Sequence, residues 1–151
     1  MKQRFLWIII GCSMVGATSL LSQPQQKPLS QSTSASSVFE DIQRGISAGD
    51  IYVFVKHFAK QAYVSLRGDE GGYYSDGYFS ENQLMYILQN FFGSRVIMRQ
   101  FKFSTIDESE TGPYATGSGN FMYRGHRELL QIYVALSKLD DRWVITQFNV
   151  Y

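Results

Sequence analysis

Two histidines are the side chains best suited to proton transfer near neutral pH, because histidine alone titrates there unperturbed. His57 follows Lys56 in a predicted helix, one position off the apolar stripe, so it should lie at the helix flank. His126 lies in a Gly-His-Arg turn, where a solvated surface role is usual. Most carboxylates belong to predicted strand ends and turns: Asp107, Glu108, Glu110, Asp140 and Asp141. The sequence predicts no buried general base, and we predict no catalytic residue. If the domain is nevertheless an enzyme, His57 is the candidate for its general base.

Arg99 is a charged side chain in predicted apolar surroundings. Ile97, Arg99, Phe101 and Phe103 alternate along one predicted strand and would share a face. If that face is the core, an unpaired guanidinium there is costly, so water or an acidic group must meet it. Arg99 would then hold the carboxylate or phosphate of a ligand. The alternatives are a rim residue with a solvated head, or a break in the strand register.

A tyrosine cluster follows the second predicted helix. Tyr73, Tyr74, Tyr78 and Phe79 fit three interpretations: the border of a pocket mouth, a partner-binding surface, or the closed edge of a core. We predict ligand-binding residues among this cluster, together with Arg99 and His57.

The loop before the cluster contains Arg67-Gly68-Asp69, a tripeptide that adhesion receptors recognise. Glycine beside aspartate is also ordinary turn chemistry, which is the simpler interpretation. Asp69, Glu70 and Asp76 lack the alternating oxygen-ligand spacing of a calcium loop. We predict no metal site and no cofactor.

The run from Leu129 to Leu136 is apolar on both faces of a predicted strand. A strand covered on one side should alternate between apolar and polar residues, so its second face is expected to meet another protein surface. Leu129, Tyr133 and Ala135 form that face, and a homodimer would cover it.

Three helices are predicted to precede the strands. Ser37 with Glu40 forms a capping box for the first helix, which ends at Gly49. Asp50 caps a second helix with an apolar stripe from Ile51 to Ala62, followed by a short strand from Tyr63 to Leu66. Tyr73 to Ser75 is the returning strand of a hairpin. Ser80 with Gln83 caps a third helix, which Gly93 ends.

Four β-type runs fill the rest of the chain with only turns between them, which predicts an antiparallel meander. The runs are Arg95 to Ile106, Tyr114 to Arg124, Leu129 to Leu139 and Trp143 to Tyr151. Gly117 and Gly119 remove side chains from one face and permit a bend. The predicted class is α+β, with three helices on the concave face of a strongly bent antiparallel sheet.

The first 37 residues differ in composition from the rest of the 151-residue chain. Residues 1–22 carry Lys2 and Arg4 before a long apolar run, as an export signal does, and residues 23–37 form a predicted Gln/Ser/Pro-rich disordered linker. Cys12, the single cysteine, is a candidate lipidation site, although ordinary cleavage near residues 17–22 fits better because few apolar residues precede it. An uncleaved anchor is the weaker third alternative, because the apolar run from Phe5 to Leu21 barely reaches the length that spans a membrane. We expect export to the periplasm, cell surface or medium, either free or as a lipoprotein.

The domain from 38 to 151 keeps 11 of the 14 basic residues, without Lys2, Arg4 and Lys27, against all 13 acidic ones, a net charge of −2. This balance argues against nucleic-acid binding. Membrane contact is expected only through the N-terminal segment or a lipid anchor.

The order of elements resembles the cone-shaped, cystatin-like α+β fold of the nuclear-transport-factor-two-like superfamily, which includes ketosteroid isomerase. The local marks of the resemblance are Ile46-Ser47-Ala48-Gly49-Asp50, Tyr78-Phe79-Ser80, Phe91-Phe92 and Trp143-Val144-Ile145. With the export signal, they look most like an uncharacterised family of secreted bacterial domains. The superfamily's enzymes place an acid/base Asp, or an Asp and His pair, in a pocket between helices and sheet, but fold alone confers no activity.

Two functions remain open. The first is an exported, non-catalytic domain that binds a small ligand in the cone or a protein partner in the cell envelope. The second is a pocket enzyme of the isomerase, dehydratase or cyclase type, in which Arg99 or tyrosine hydroxyls polarise a carbonyl and His57 is the base. This enzyme hypothesis requires His57 at a closed polar cavity.

Overall fold

A computed structural model describes residues 34–68 and 74–151 of the chain. In chain order, the elements are α1 (Ala35–Ala48), α2 (Tyr52–Val55), β1 (Phe58–Arg67), β2 (Tyr74–Tyr78), α3 (Glu81–Gly93), β3 (Arg95–Ile97), β4 (Lys102–Asp107), β5 (Tyr114–Tyr123), β6 (His126–Leu139) and β7 (Arg142–Val150). Within these residues, no helix is long and apolar enough to cross a membrane. The export signal, Cys12 and all but the end of the linker lie outside the described residues.

The caps of α1 and α3 follow the predicted chemistry, with one shift. The cap of α1 is Ser34 rather than Ser37, and the Ser37 amide donates to the Ser34 hydroxyl oxygen at 3.1 Å. Gly49 ends this helix in the left-handed region with φ of 68°, which glycine adopts without a steric penalty. At α3, the amide of Ser80 donates to Oε1 of Gln83 at 3.0 Å, as a capping box requires.

The second helix is much shorter than predicted. It spans only four residues, and Phe58 to Ala62 continue as the first half of β1. The predicted helix was wrong beyond Val55. Phe58 and Ala62 fit a helical spacing, but both belong to strand β1. Phe58 pairs with Ile145 of β7.

The seven strands form one sheet in the order β2-β1-β7-β6-β5-β3, with β4 also paired to β5. The C-terminal strands form the predicted antiparallel meander, joined by two-residue turns in which Arg124, Gly125, Asp140 and Asp141 have positive φ. The β1–β7 pair is parallel, which the sequence analysis did not anticipate. The sheet is therefore mixed, although all other pairings are antiparallel.

The first predicted long strand is broken into β3 and β4 by a bend at Met98 to Gln100. Beyond the bend, Phe101 turns inward and is 1% exposed. Its ring lies where side chains at Gly117 and Gly119 would stand, since a Cβ added there would lie 3.1 and 3.3 Å from it. The two glycines thus make room for Phe101.

Alternation along β6 separates the two faces of the bent, unclosed sheet. Leu130, Ile132, Val134 and Leu136 are at most 2% exposed, while the residues between them face outward. The inner face joins one apolar core with α1 and α3, through Val38, Phe39, Ile42, Ile46, Leu84, Leu88, Phe91 and Phe92. From α2, Phe54 stacks on Phe148 with ring centroids 5.9 Å apart. The α+β architecture of helices on a bent sheet is confirmed.

Candidate functional site

The register of the sheet sets two rows of side chains across its outward side, which we call the outer face. The first row is Tyr78, Tyr63, Gln147, Ala135 and Tyr114, and the second is Asp76, Ser65, Asn149, Tyr133 and Thr116. Each row crosses β2, β1, β7, β6 and β5 in turn. Four of these ten side chains are tyrosines, a residue type enriched in protein–protein interfaces.

At one edge of the outer face, two tyrosine hydroxyls converge on a single carboxylate. Tyr63 and Tyr74 both donate to Asp76, the second at 2.7 Å. These hydrogen bonds, first that of Tyr63 and then that of Tyr74, lower the pKa of Asp76 below its ordinary value. The same bonds raise the pKa of each tyrosine. The ring of Tyr78, which is 71% exposed, lies edge-on to Tyr63 with centroids 5.5 Å apart.

A second tyrosine pair lies at the other side of the outer face. Tyr114 and Tyr133 stack with ring centroids 6.1 Å apart and an interplanar angle of 25°. Tyr133 and Ala135 are half-buried, and Leu129, further along the same side of β6, is 52% exposed. All three residues of the predicted dimer face therefore point outward.

Between the two tyrosine groups, the outer face has short polar side chains that are nearly buried. Ser65 is 5% exposed and Asn149 is 9% exposed. The Oδ1 atom of Asn149 has no hydrogen-bond partner. This oxygen is itself buried, so the centre of the face carries an unsatisfied acceptor that solvent does not reach.

His57 lies in the corner between α2 and β1, and its partner was not anticipated. Its Nε2 atom lies 2.8 Å from Oδ2 of Asp41 on α1, and the His57 side chain is 13% exposed. Lys56 Nζ lies 3.2 Å from the same oxygen, and Arg44 also pairs with Asp41. Burial raises the pKa of Asp41, but the hydrogen bonds of His57 and Lys56, with the nearby positive charges, outweigh it and lower the pKa overall.

The buried guanidinium belongs to Arg95, not to Arg99. Arg99 lies exposed in the bend between β3 and β4, because the strand that was expected to turn it inward stops at Ile97. Arg95 Nε donates to Oε2 of Glu128 at 2.8 Å, and each side chain is 1% exposed. The guanidinium carbon lies 4.0 Å from the ring centroid of Phe91 and 4.3 Å from that of Tyr123. This ion pair is the charged group inside the described core.

The remaining atoms of this ion pair face the end of β1. Nη1 of Arg95 donates to the carbonyl of Phe91 at 2.8 Å, while Nη2 and Oε1 of Glu128 have no hydrogen-bond partner. A Cβ at Gly68 would lie 2.5 Å from Nη2 and 3.4 Å from Oε1. The backbone at Gly68 therefore closes over the pair and leaves no room for a ligand group between them.

Aromatic rings pack in the core between the helices and the sheet in the described part of the chain. The fully buried rings are those of Phe39, Phe54, Phe91, Phe101, Phe121 and Phe148. A shallow cleft of about 130 Å³ lies at the helix corner, lined by Gly49, Asp50, Ile51, Tyr52, Gln89 and Gly93. None of the predicted ligand-binding residues lines this cleft.

The predicted site residues are not brought together. Tyr74 and Tyr78 lie on the edge strand β2, His57 lies at the helix corner, and Arg99 lies in the exposed bend. Tyr73 falls outside the described residues, as does Asp69 of the adhesion-type tripeptide. Among residues 34–68 and 74–151, no three His, Cys, Asp or Glu side chains are grouped to hold a metal ion.

Comparison with protein families gives one match across most of the chain: residues 39–150 match the family described as Domain of unknown function (DUF4783). No curated protein matches the sequence.

Among solved structures, a DUF4783 family protein from Bacteroides ovatus is similar at 11% identity and a TM-score of 0.58, over 73% of this chain and 90% of that one. A DUF4783 family protein from Bacteroides uniformis is similar at 10% identity and a TM-score of 0.60, over 74% and 93%. A ketosteroid isomerase-like protein from Erwinia carotovora is similar at 10% identity and a TM-score of 0.57, over 76% and 90%. At these identities the likeness establishes the nuclear-transport-factor-two-like fold and nothing about activity.

Proposed function

We propose a function for this chain, which belongs to the DUF4783 family of domains of unknown function. It is an exported, non-catalytic domain that recognises a protein partner through its outer face. The N-terminal segment directs export, and the linker gives the domain reach from the point of attachment. Recognition rests on the outer-face tyrosines, which lie on four of the five strands that the two rows cross.

The contrast between the two faces of the sheet carries this proposal. The inner face is occupied by the helices and by buried aromatic rings, which favours a partner on the outside over a small ligand in the cone. The outer face offers tyrosine rings and exposed apolar area, with a paired Asp76 at its edge. Such a mixture of rings and hydroxyls suits a protein surface.

The test is site-specific photo-crosslinking in the intact cell envelope of the source organism. A photoreactive phenylalanine analogue replaces Tyr78 in one variant of the full chain and Tyr86 in another. Tyr86 is the matched control, because it is 67% exposed against 71% for Tyr78 but lies on α3, away from the outer face. We expect one discrete crosslinked species from Tyr78 and none from Tyr86.

Mass spectrometry of the crosslinked species identifies the partner, and a second copy of the chain would identify a homodimer. Equal labelling of both positions, or no crosslink from Tyr78, would reject the outer face as a recognition surface. Native mass spectrometry of protein from the same fraction tests the competing hypothesis. A copurifying small molecule would favour a ligand bound on the concave side of the sheet over a protein partner.

A pocket enzyme is the second candidate. The His57–Asp41 pair favours it, whereas the cleft at the helix corner, which His57 does not line, does not supply the cavity that it requires. Asp41 could orient His57 through Nε2, while Nδ1 makes no hydrogen bond to a described residue and would accept a proton. The test is isomerisation of an enolisable keto-steroid by the wild type, a His57→Gln variant and an Arg99→Gln variant. The enzyme hypothesis requires measurable turnover that the His57 variant loses and the Arg99 variant retains, and no turnover in the wild type would reject this reaction.

A further inference from the structure

Exposed aliphatic side chains gather at one corner of the sheet, where β3, β5 and β6 meet. Val96 pairs with Met122, which pairs with Arg127, and Met98 bonds through its amide to Asn120, which pairs with Leu129. Val96 is 69% exposed, Met98 is 40% exposed and Leu129 is 52% exposed. These three side chains lie in two neighbouring rows on the outward side of the sheet, with Met122 and Asn120 of β5 between them, and we call them the apolar patch.

Exposed arginines border this patch. Arg99 lies in the bend that follows Met98, Arg124 lies in the β5–β6 turn, and Arg127 follows that turn. In the segments 94–103 and 120–131 the one carboxylate is Glu128, which is buried against Arg95. We call Val96, Met98, Leu129 and these three arginines the basic corner. Asp69 and Glu70, which follow Gly68 in the sequence, lie outside the described residues.

The opposite end of the same strands carries the reverse charge. The β4–β5 loop and the β6–β7 turn contain four exposed carboxylates, Glu108, Glu110, Asp140 and Asp141. They outnumber the two exposed cations that flank the turn, Arg142 and Lys138, which pairs with Asp141 at 3.5 Å. Helix α1 begins at this acidic end, since the Ser36 hydroxyl donates to Glu108 at 2.6 Å. The domain thus has a basic pole with an apolar patch and an acidic pole from which the N-terminal linker leaves.

We propose that the basic corner docks on an anionic lipid surface. Its arginines would lie at the level of the phosphate headgroups, while Val96, Met98 and Leu129 enter the upper acyl region. Arginines beside exposed aliphatic side chains match the anionic headgroups and the acyl region of a bilayer by charge and polarity. This contact adds to the two predicted routes to the membrane, which are the N-terminal segment and a lipid anchor.

Repulsion at the acidic pole gives the contact an orientation. An anionic bilayer repels the end where the linker leaves and attracts the other end. A domain tethered near the membrane would therefore turn its basic corner down, and the tyrosines of the outer face would stand to one side.

The test uses the full chain with a polarity-sensitive dye on a single introduced cysteine, in a Cys12→Ser background. One variant carries Met98→Cys, and the matched control carries Leu139→Cys, which is 50% exposed at the acidic end. Each is titrated with phosphatidylcholine vesicles, with and without phosphatidylglycerol. We expect a blue shift at position 98 on anionic vesicles alone, none at 139, and loss of the shift at high salt.

Combining Arg99→Gln with Arg127→Gln should weaken the affinity for anionic vesicles, read from the shift at position 98, roughly 30-fold. Each arginine is expected to contribute somewhat more than about fivefold, and the two factors multiply. Because the N-terminal segment is unchanged in every variant, its own membrane affinity cannot produce a difference between the two dye positions. An equal shift at both positions, the same shift on neutral vesicles, or no shift would overturn the proposal. A shift at 98 with an acidic polypeptide but not with vesicles would assign the corner to an acidic protein instead. These outcomes are independent of crosslinking at Tyr78.

Discussion

The inner and outer faces of β6 differ sharply although they alternate residue by residue. Leu130 is fully buried and its neighbour Leu129 is 52% exposed. On the inner face, the charged group is a tightly held ion pair and every large apolar side chain meets another. On the outer face, hydroxyls and a carboxylate bond to one another at the surface. The difference shows that one side of this sheet is buried in the core, while the other side carries exposed tyrosine and leucine side chains.

The largest expected effect is at the buried ion pair. Replacing Glu128 by alanine leaves the Arg95 guanidinium charged and buried, so we expect a loss of about 3–5 kcal/mol in the free energy of unfolding. Chemical denaturation of the purified variant measures it. An Arg95→Met/Glu128→Leu double variant is the control and should recover most of the loss. A loss below about 1 kcal/mol in the single variant would mean that the pair is hydrated.

The two adjacent leucines give the most direct comparison of the faces. Leu130→Ala removes buried volume and should lower the free energy of unfolding by about 2–5 kcal/mol. Leu129→Ala, with the same chemical change at an exposed position, should stay within about 0.5 kcal/mol of wild type. Urea unfolding of both variants suffices. Similar losses at the two positions would show that Leu129 is covered in the folded protein.

The glycines beneath Phe101 test how rigid the inner face is. A Cβ at Gly117 would lie 2.7 Å from the backbone oxygen of Lys102, whereas a Cβ at Gly119 would meet only the rings of Phe121 and Phe101. Because a backbone atom cannot rotate away, we expect Gly117→Ala to lower the free energy of unfolding by about 1–3 kcal/mol. A Phe121→Leu background should reduce the loss caused by Gly119→Ala but not the loss caused by Gly117→Ala. Thermal unfolding of the four variants measures this difference. Equal relief at both sites would contradict it.

The smallest effect on stability is expected at Asp76, where the readout is titration. Asp76→Asn removes the carboxylate that raises the pKa of Tyr63 and Tyr74, so both tyrosines should ionise at lower pH. Ultraviolet absorbance of tyrosinate measures the change, and Tyr86→Phe is the control for a tyrosine away from the cluster. Unchanged titration would show that the cluster does not persist in solution.

The linkage between titration and folding at this cluster has a definite sign. The raised tyrosine pKa values stabilise the fold below the ordinary tyrosine pKa, near 10, and this contribution is lost as pH rises through the raised values. The lowered pKa of Asp76 stabilises the fold above its ordinary value, near 3.8, and is lost at lower pH.

The meander and the cap of α3 could be predicted from the sequence because their signals are local. Ser80 with Gln83 specifies a helix start within one turn, and β-branched runs separated by turn residues specify antiparallel neighbours. The fold class followed from these elements and is confirmed. The length of α2 could not be predicted, because Phe58 and Ala62 satisfy a helical stripe and only pairing with β7 decides between helix and strand.

The buried charge could have been found by extending one pattern. The alternation that was applied to Ile97 and Arg99 places Arg95 on the same inward face two residues earlier, and Glu128 alternates with Leu130 and Ile132. Arg99 does not follow this alternation, because the chain bends before Phe101. That bend depends on the room that Gly117 and Gly119 leave on β5, a strand distant in the sequence. The contact of His57 with Asp41 depends on how α1 packs at the corner, which no local spacing encodes.

The parallel pairing of β1 with β7 has a consequence for how the chain reaches this form. Val64 cannot pair with Phe148 until β7 has been synthesised. Phe148 lies roughly 80 residues later in the sequence, near the end of the described elements. Until then the β1–β2 hairpin has no strand to pair with along the edge that β7 will occupy. Docking of the hairpin onto β7 is therefore expected to be the slow step of folding, with the nascent chain open until that strand has emerged.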